Sequence, residues 1–268
     1  MINKYPDGNS FLKDNSLFLL ENKYTSAFFF IDAPLLKESN ERNYALKIIE
    51  DEKKMVALKV EPYNVLLLGD IECLEELLIY LLNSDLEYSG FYCVQEIGER
   101  LVKLSKNILK KEYHQLIGMD FMIAKEISEQ SSDEVSVPSS DDVDELYECF
   151  VNFIRDCGLT DEVKKEKIAK EISSYRIIRK DNKIVSLTRR SPDTNTSIRI
   201  SAVYTRPEYR GQGLARRVVN YLKNEIISEG KSATLNVDQA NPISNHLYKS
   251  LGFTKLFSQG IYLPVIEK

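Results

Sequence analysis

In the first half of the chain, short runs of consecutive apolar residues alternate with segments whose apolar residues have helical spacing. Residues 64–69 form an aliphatic run typical of a buried strand, and residues 71–83 space their apolar side chains like one face of a helix. A second strand at 91–94, a second amphipathic helix at 97–109 and an extended stretch at 114–123 follow. The pattern predicts a β-α-β-α-β order for this region.

A segment rich in serine and acidic residues separates this region from the second half. Residues 128–142 read SEQSSDEVSVPSSDD and include Pro138, a composition typical of a boundary between two compact units. A short strand at 135–137 fits inside this segment. We therefore predict two domains, residues 1–130 and residues 131–268.

The apolar spacing beyond the boundary predicts a second set of helices and strands. A helix with acidic residues in its first turn begins after Asp142, and a second helix begins at Asp161. Strands at 176–179 and 183–189 flank an Asp-Asn turn signal and form a hairpin. The whole pattern predicts an α/β fold with a mixed sheet.

The next strand, residues 197–205, leads into the segment that carries the most chemical information. Its side chains alternate, so one face is predicted to carry Ile198, Ile200, Ala202 and Tyr204, and the other Arg199, Ser201, Val203 and Thr205. A turn follows with the sequence Arg-Gly-Gln-Gly-Leu-Ala at residues 210–215, which we call the glycine turn. A helix with apolar residues at helical spacing begins at Leu214.

The amino-acid composition is typical of a globular protein and disfavours membrane, secreted and metal-binding proteins. The 268 residues are 43% hydrophobic and 29% charged, as in an ordinary globular protein. No apolar run approaches the roughly 20 residues of a membrane span, and no secretory signal is apparent at the start, so we expect a cytoplasmic protein without a membrane partner. The four cysteines lack C-x-x-C spacing and there are two histidines, so we expect reduced, mostly buried thiols and no metal site.

Charge is distributed unevenly along the chain. The net charge is −5 and the pI about 5.4, which disfavours nucleic acid as a partner. Residues 1–135 contain 15 basic and 24 acidic side chains, whereas residues 136–268 contain 21 basic and 17 acidic ones. An anionic ligand is therefore expected to prefer the second half, and the acidic first half favours a cationic partner.

The glycine turn has the features of an anion site. Gly211 and Gly213 lack a Cβ, so the backbone can turn sharply and approach a ligand, and the first N–H groups of the helix point outward. Arg210, Arg216 and Arg217 add positive charge. Glycines in such a turn also serve purely steric needs, an alternative that the turn alone leaves open. The turn does not match a P-loop, because the sequence Gly-Lys followed by Ser or Thr is missing. It does not match the dinucleotide-binding motif G-x-G-x-x-G either, because Arg216 occupies the position of the third glycine.

Two motifs in register resemble the GNAT superfamily of acyl-CoA-dependent N-acetyltransferases. The glycine turn matches R/Q-x-x-G-x-G/A, and residues 241–253, Asn-Pro-Ile-Ser through Leu-Tyr to Gly-Phe, are similar to N-x-x-A-x-x-L-Y-x-x-x-G-F. Ser244 replaces the usual alanine, a small-for-small change. The resemblance covers about residues 135–268 and implies a GNAT fold, with acetyl-CoA as acyl-donor co-substrate.

The resemblance also implies roles for individual residues. The strand before the turn would splay from its neighbour, with backbone groups of Val203 and Thr205 contacting pantetheine and one N–H polarising the acetyl carbonyl. The backbone of the glycine turn would wrap the pyrophosphate. The implied acetyl-CoA contacts are Val203, Tyr204, Thr205, Arg210, Gly211, Gln212, Gly213, Leu214, Ala215, Arg216, Asn241 and Tyr248.

Tyr248 occupies the position of the family's general acid, which protonates the departing CoA thiolate, and is the one catalytic residue assigned. Beside Leu247 and Leu251 it could equally be an amphipathic core residue. Asn241 has an alternative as the N-cap of a helix with Pro242 at its first position, and Gly252 is expected to be a helix C′ residue. No general base is assigned, and His246 has no catalytic role.

The first half has a similar predicted order of strands and helices but lacks the residues implied in acetyl-CoA binding and catalysis. Carboxylates of Asp70 and Glu72 stand where pyrophosphate would lie, and the helix at 97–109 has no matching tyrosine. We interpret residues 1–130 as a degenerate GNAT-like domain or an unrelated α/β cap, and residues 131–268 as the catalytic domain, so that the chain would contain two tandem GNAT-like domains.

The function implied by the resemblance is direct transfer of an acetyl group from acetyl-CoA to a primary amine of a small molecule or peptide. The alternative is a regulatory or interaction module that binds acyl-CoA without turnover. The acceptor, the acyl chain length and the oligomeric state, including a homodimer, stay open.

Overall fold

The structure is a computed structural model that describes residues 1–128, 134–158 and 162–266, apart from the side chain of Asp193. The chain forms two compact units. Unit 1 comprises residues 1–120, 238–240 and the chain from Phe257, and unit 2 comprises residues 121–237 and 241–256. No helix in the described residues is long and apolar enough to cross a membrane.

The helices and strands are numbered in chain order. The helices are α1 (Gly8–Glu21), α2 (Ala27–Asp32), α3 (Leu74–Asn83), α4 (Gln95–Ile108), α5 (Val143–Asp156), α6 (Lys165–Lys170), α7 (Leu214–Ser228) and α8 (Pro242–Ser250). The strands are β1 (Ile2–Tyr5), β2 (Tyr44–Glu50), β3 (Lys53–Lys59), β4 (Val65–Gly69), β5 (Phe91–Val94), β6 (Tyr113–Ala124), β7 (Val135–Ser136), β8 (Tyr175–Lys180), β9 (Lys183–Thr194), β10 (Ser197–Thr205), β11 (Ser232–Asp238) and β12 (Thr254–Pro264).

The two halves repeat one order of elements. From β1 to β6, and again from β7 to β12, the order is β-α-α-β-β-β-α-β-α-β. The β-α-β-α-β order predicted for residues 64–123 is confirmed as β4, α3, β5, α4 and β6. The helix start predicted at Asp161 lies outside the described residues, and α6 begins at Lys165.

In unit 1, helices cover both faces of the sheet. The strand order is β1-β2-β3-β4-β5, followed by the last part of β12 and the first part of β6. Side chains of β4 alternate, since Val65 and Leu67 pack with α3 and α4, whereas Leu66 and Leu68 pack with α1 and α2. Burial on both faces explains why β4 reads as an uninterrupted aliphatic run.

Unit 2 is also covered on both faces. Its strand order is β12-β6-β11-β10-β9-β8-β7, using the first part of β12 and the last part of β6. Helices α7 and α8 pack on one face and α5 on the other. In unit 1, therefore, one strand is supplied by a chain segment that is remote in sequence, the part of β12 from Phe257.

The strict alternation predicted for β10 is wrong at Ala202. A β-bulge places Ala202 and Val203 between Ser201, which pairs with Arg189, and Tyr204, which pairs with Leu187. The extra residue shifts the side-chain phase by one. Ile198, Ile200 and Val203 therefore lie on the α7 face, and Ala202 and Tyr204 lie on the α5 face.

A network of ion pairs holds α7 against the strands of unit 2. Arg176 on β8, whose side chain is 8% exposed, donates through Nε to Glu225 Oε2 at 2.6 Å. Arg190 on β9 donates to Glu225 Oε1 at 3.0 Å and to both carboxylate oxygens of Glu229, at 2.7 and 2.6 Å. Glu225 is thus shared by two arginines, one of them buried.

Replacing Glu225 with alanine should destabilise the protein more than the same change at Glu229. The first change leaves the buried Arg176 without its carboxylate, which costs about 2 kcal/mol because Arg176 keeps its hydrogen bonds to the carbonyls of Ser173 and Tyr175. The second removes a more exposed partner and should cost less than about 1 kcal/mol. Urea denaturation of both variants measures the difference, and equal losses would contradict the assignment.

Candidate functional site

The candidate site lies where β10 and β11 separate. These parallel strands pair at three positions, from Ser197 with Ser232 to Arg199 with Thr234. Beyond Arg199, the edge of β10 that faces away from β9 has no strand partner in the described part of the chain. The backbone groups on this edge are therefore available to a ligand that lies along the strand.

The bulge lies on this open part of β10. Ala202 has a φ of +52°, in the left-handed region that residues other than glycine seldom adopt, at a cost of about 1–3 kcal/mol. The bulge takes Val203 out of register with β9, while Tyr204 and Thr205 pair with it again. Among the three strand residues implicated by the resemblance, Val203 is the one whose backbone is out of register with β9.

Side chains around the bulge hold the end of β10 in place. Ser186 on β9 donates to the carbonyl of Tyr204 at 3.1 Å, and its hydroxyl lies 2.9 Å from Thr205 Oγ1. The carbonyl of Thr205 accepts a hydrogen bond from Arg210 Nε at 3.1 Å. The strand end is thus tied to the first residue of the glycine turn.

The glycine turn presents free N–H groups at the start of α7. Gly211 and Gly213 have φ values of +76° and +72°, so both need glycine for conformational reasons. A Cβ at Gly211 would meet nothing within 4 Å, and one at Gly213 would meet only Arg217 Nη1 at 4.0 Å. The first intrahelical hydrogen bond runs from the Arg217 N–H to Gly213 O, at 3.1 Å.

The Arg210 N–H donates to Pro207 O at 3.2 Å, but the N–H groups of residues 211–216 have no acceptor within the described residues. Together with the positive end of the α7 dipole they form a site suited to an anion. Gly211, Gln212 and Gly213 are exposed, so a ligand can reach it.

Four cationic side chains surround the glycine turn. Arg210 pairs with Asp156 at 2.5 Å, and Arg217 lies 3.5 Å from Glu134. The other two contact neutral groups, because Lys180 donates to Gln212 Oε1 at 2.6 Å and Arg216 donates to Ser250 Oγ at 2.5 Å. Lys180 and Arg216 therefore retain an uncompensated positive charge beside the turn.

Lys180 was not identified from the sequence. It is the last residue of β8, thirty-two positions before its contact with Gln212, and its ammonium lies 6.0 Å from the ring centroid of Tyr209. The hairpin register brings it to the turn, and no local motif signals that position.

Tyr248 lies on α8 in the same apolar cluster as Leu214, with Val203 packed against it. Its ring contacts Phe253 edge to face, with centroids 6.1 Å apart. The side chain is 7% exposed, and its hydroxyl has no hydrogen-bond partner in the described part of the chain. Burial, with a smaller contribution from Cys157, raises the pKa of Tyr248 to about 12, so the phenol is protonated at neutral pH.

Asn241 caps α8. Its side chain accepts from the Ser244 N–H at 3.0 Å, and Pro242 follows at the first helical position. The structure therefore shows the capping role that the sequence left open for Asn241. Gly252 has a φ of +84° and donates to Lys249 O, while Phe253 donates to Tyr248 O, so the expected C′ role of Gly252 is confirmed.

Comparisons with known proteins bear on the family and the fold of the chain. Residues 177–261 match the family described as FR47-like protein. No curated protein matches the chain in sequence.

Solved structures with the same fold are numerous. An acetyltransferase of the GNAT family from Colwellia psychrerythraea is 11% identical with a TM-score of 0.64, over 99% of this chain and all of that one. A GCN5-related N-acetyltransferase from Sphaerobacter thermophilus is 13% identical with a TM-score of 0.60, over 85% of this chain and 83% of that one. A GCN5-related N-acetyltransferase from Kribbella flavida is 12% identical with a TM-score of 0.56, over 82% of this chain and 90% of that one. The chain therefore has the fold of the GNAT acetyltransferases, and its residues 177–261 are similar to the FR47-like family.

Proposed function

We propose that this protein transfers an acetyl group from acetyl-CoA directly to a primary amine, at the site in unit 2. The observation that carries the proposal is the glycine turn, whose unpaired N–H groups open α7 directly after the bulged, unpaired edge of β10. A diphosphate fits the N–H groups and the charges of Lys180 and Arg216, and an amide-rich pantetheine arm fits the open strand edge.

The proposed chemistry is one displacement at the thioester. The nitrogen lone pair of a neutral amine attacks the carbonyl carbon, the C–N bond forms, the C–S bond breaks, and the amine proton passes to solvent. The N–H of Val203 polarises the carbonyl oxygen as charge develops there. The Tyr248 phenol donates to the leaving sulfur, and its raised pKa favours a strong hydrogen bond over complete proton transfer.

We further propose that residues 131–268 are the catalytic domain and residues 1–130 a degenerate GNAT-like domain. At the turn of unit 1 that corresponds to the glycine turn, the N–H of Asp70 donates to Lys54 O and its carboxylate accepts from the Lys54 N–H, both at 2.8 Å. A Cβ at Gly69 would lie 2.2 Å from Lys54 O. A turn closed by its own backbone and a carboxylate is unsuited to a phosphate.

The free thiols favour a cytoplasmic setting for this activity. Cys73, Cys93 and Cys149 are buried and unpaired, as expected of a protein in a reducing compartment.

Calorimetric titration of acetyl-CoA into the full-length protein is the primary test. We expect a Kd in the range of about 1–100 μM, and thiol release with at least one acceptor in a panel of small amines, amino acids, aminoglycosides and peptides. The rate should rise with pH toward the acceptor's own pKa, because the neutral amine is the nucleophile. Absence of acetyl-CoA binding would overturn the proposal, and binding without turnover on any acceptor would favour the non-catalytic acyl-CoA-binding module.

A further inference from the structure

Unit 1 contains a cavity of about 380 Å³, unconnected with the chemistry proposed for unit 2. All its lining residues belong to unit 1, and most are apolar or aromatic. Phe28 and Ile31 come from α2, Tyr63 from the loop before β4, Tyr92 from β5 and Ile261 from β12. The volume lies within the range of small-molecule sites.

One ionisable group in this cavity is unusual. Asp32, the last residue of α2, is 8% exposed, and its carboxylate has neither a hydrogen bond nor an ion pair in the described part of the chain. Burial raises the pKa of Asp32 to about 6. At neutral pH it is therefore mainly an anion that is largely shielded from water and has no partner in the described part of the chain.

The helix itself supplies no partner for Asp32. The chain continues from α2 directly into a 3₁₀ turn at Ala33–Leu35, where the Leu36 N–H donates to Ala33 O at 3.0 Å. Buried charges in folded proteins are normally paired, so an unpaired one calls for a partner that comes from outside the chain.

The rest of the lining defines that partner. Three aromatic rings, those of Phe28, Tyr63 and Tyr92, line the same cavity, and Phe28 and Tyr92 meet edge to face with centroids 5.4 Å apart. Aromatic faces attract cations as well as apolar groups. A carboxylate beside aromatic rings is suited to an ammonium group on an apolar body.

We propose that this cavity binds an organic primary ammonium compound, with the ammonium on Asp32 and the apolar body among Phe28, Tyr63, Leu66 and Tyr92. The ammonium supplies the hydrogen-bond donors that the carboxylate lacks, and the cavity holds a body of the size of a phenyl ring with a short alkyl chain. The inference does not depend on acetyl transfer, because it concerns a separate unit of the chain.

The test is binding to the full-length protein at pH 7.5, measured by ligand-observed NMR titration. The probes are benzylammonium, phenethylammonium and n-hexylammonium chlorides, and the neutral comparison is phenethyl alcohol. We expect the best ammonium probe to bind with a Kd of about 1 mM or lower. Asp32→Asn should weaken this probe at least about 10-fold and leave phenethyl alcohol unchanged.

Asp51→Asn is the matched control. It removes the same charge from the same unit, at an exposed turn between β2 and β3 that does not line the cavity, so binding should be unchanged. The proposal is overturned if none of the three probes binds, or if Asp32→Asn binds them as tightly as the wild type.

Thermal melting shows whether the Asp32→Asn variant is folded and tests the same carboxylate independently. The folded-state pKa of Asp32 lies above its ordinary value of 3.8, so ionisation of Asp32 destabilises the protein as the pH rises through 4 to 6. We expect Asp32→Asn to melt at a higher temperature than the wild type at pH 7.5, with the gain shrinking as the pH falls toward 4. The other titratable residues that line the cavity are Tyr63 and Tyr92. A variant that melts below the wild type at pH 7.5 would show that Asp32 serves the packing of unit 1 and would overturn the assignment.

Discussion

Gly213→Glu should lower the affinity for acetyl-CoA by at least about 1000-fold. The substitution places a carboxylate among the N–H groups that would hold the diphosphate, and repulsion between like charges at close range costs several kcal/mol. It also forces a residue with a Cβ into a φ of +72°, which costs about 1 kcal/mol of stability and disfavours the turn geometry that the ligand needs. Calorimetric titration should detect no binding at concentrations that saturate the wild type.

Gly230→Glu is the matched control for this variant. Gly230 follows the opposite end of α7, has a φ of +76°, and a Cβ there would meet nothing within 4 Å. The same new charge and the same backbone strain therefore arise away from the glycine turn, and acetyl-CoA affinity should be unchanged. If Gly213→Glu still binds acetyl-CoA like the wild type, the diphosphate does not lie at the glycine turn.

Tyr248→Phe should lower kcat by about 100-fold while acetyl-CoA affinity changes less than about twofold. The substitution removes the donor to the leaving sulfur but keeps the ring that packs against Phe253. Because the hydroxyl makes no hydrogen bond within the described residues, its loss should not disturb the fold. Steady-state kinetics with an identified acceptor, together with calorimetry, separates the two effects.

Tyr221→Phe provides the comparison, since Tyr221 is a partly buried tyrosine packed against the apolar cluster that contains Tyr248. Its kcat should equal that of the wild type. The pKa of about 12 also means that Tyr248 stays protonated up to pH 10, so the wild type should show no alkaline loss of rate from this group. If Tyr248→Phe has the same kcat as Tyr221→Phe, Tyr248 contributes to packing and not to catalysis.

Sequence reasoning succeeded where the information is local. Strands β5 and β10 have the predicted bounds, because turn residues and a change of apolar period delimit them. The glycine turn could be identified because glycine, charge and the start of a helix occur within six residues. Elements before residue 64 were not predicted, since apolar residues such as Leu17 and Leu20 lie on the exposed side of α1 and obscure its period.

Features set by strand pairing could not be predicted in the same way. The bulge at Ala202 depends on register with β9, and alanine carries no signal for a positive φ. Lys180 reaches Gln212 because of the same hairpin, and Asp32 shares a cavity with aromatic rings from two other segments, the loop before β4 and strand β5. Such groups become visible only when the topology is known.

The division of β12 between the units has a consequence for synthesis on the ribosome. Within unit 1, the part of β12 from Phe257 onward lies between β5 and β6 in strand order. The nascent first half therefore emerges with a vacant position between β5 and β6 in its sheet, and the facing edges of these two strands stay unpaired until the last strand has been made. We expect unit 1 to reach its native state after translation of the second half, unlike the usual sequence in which an N-terminal domain folds first.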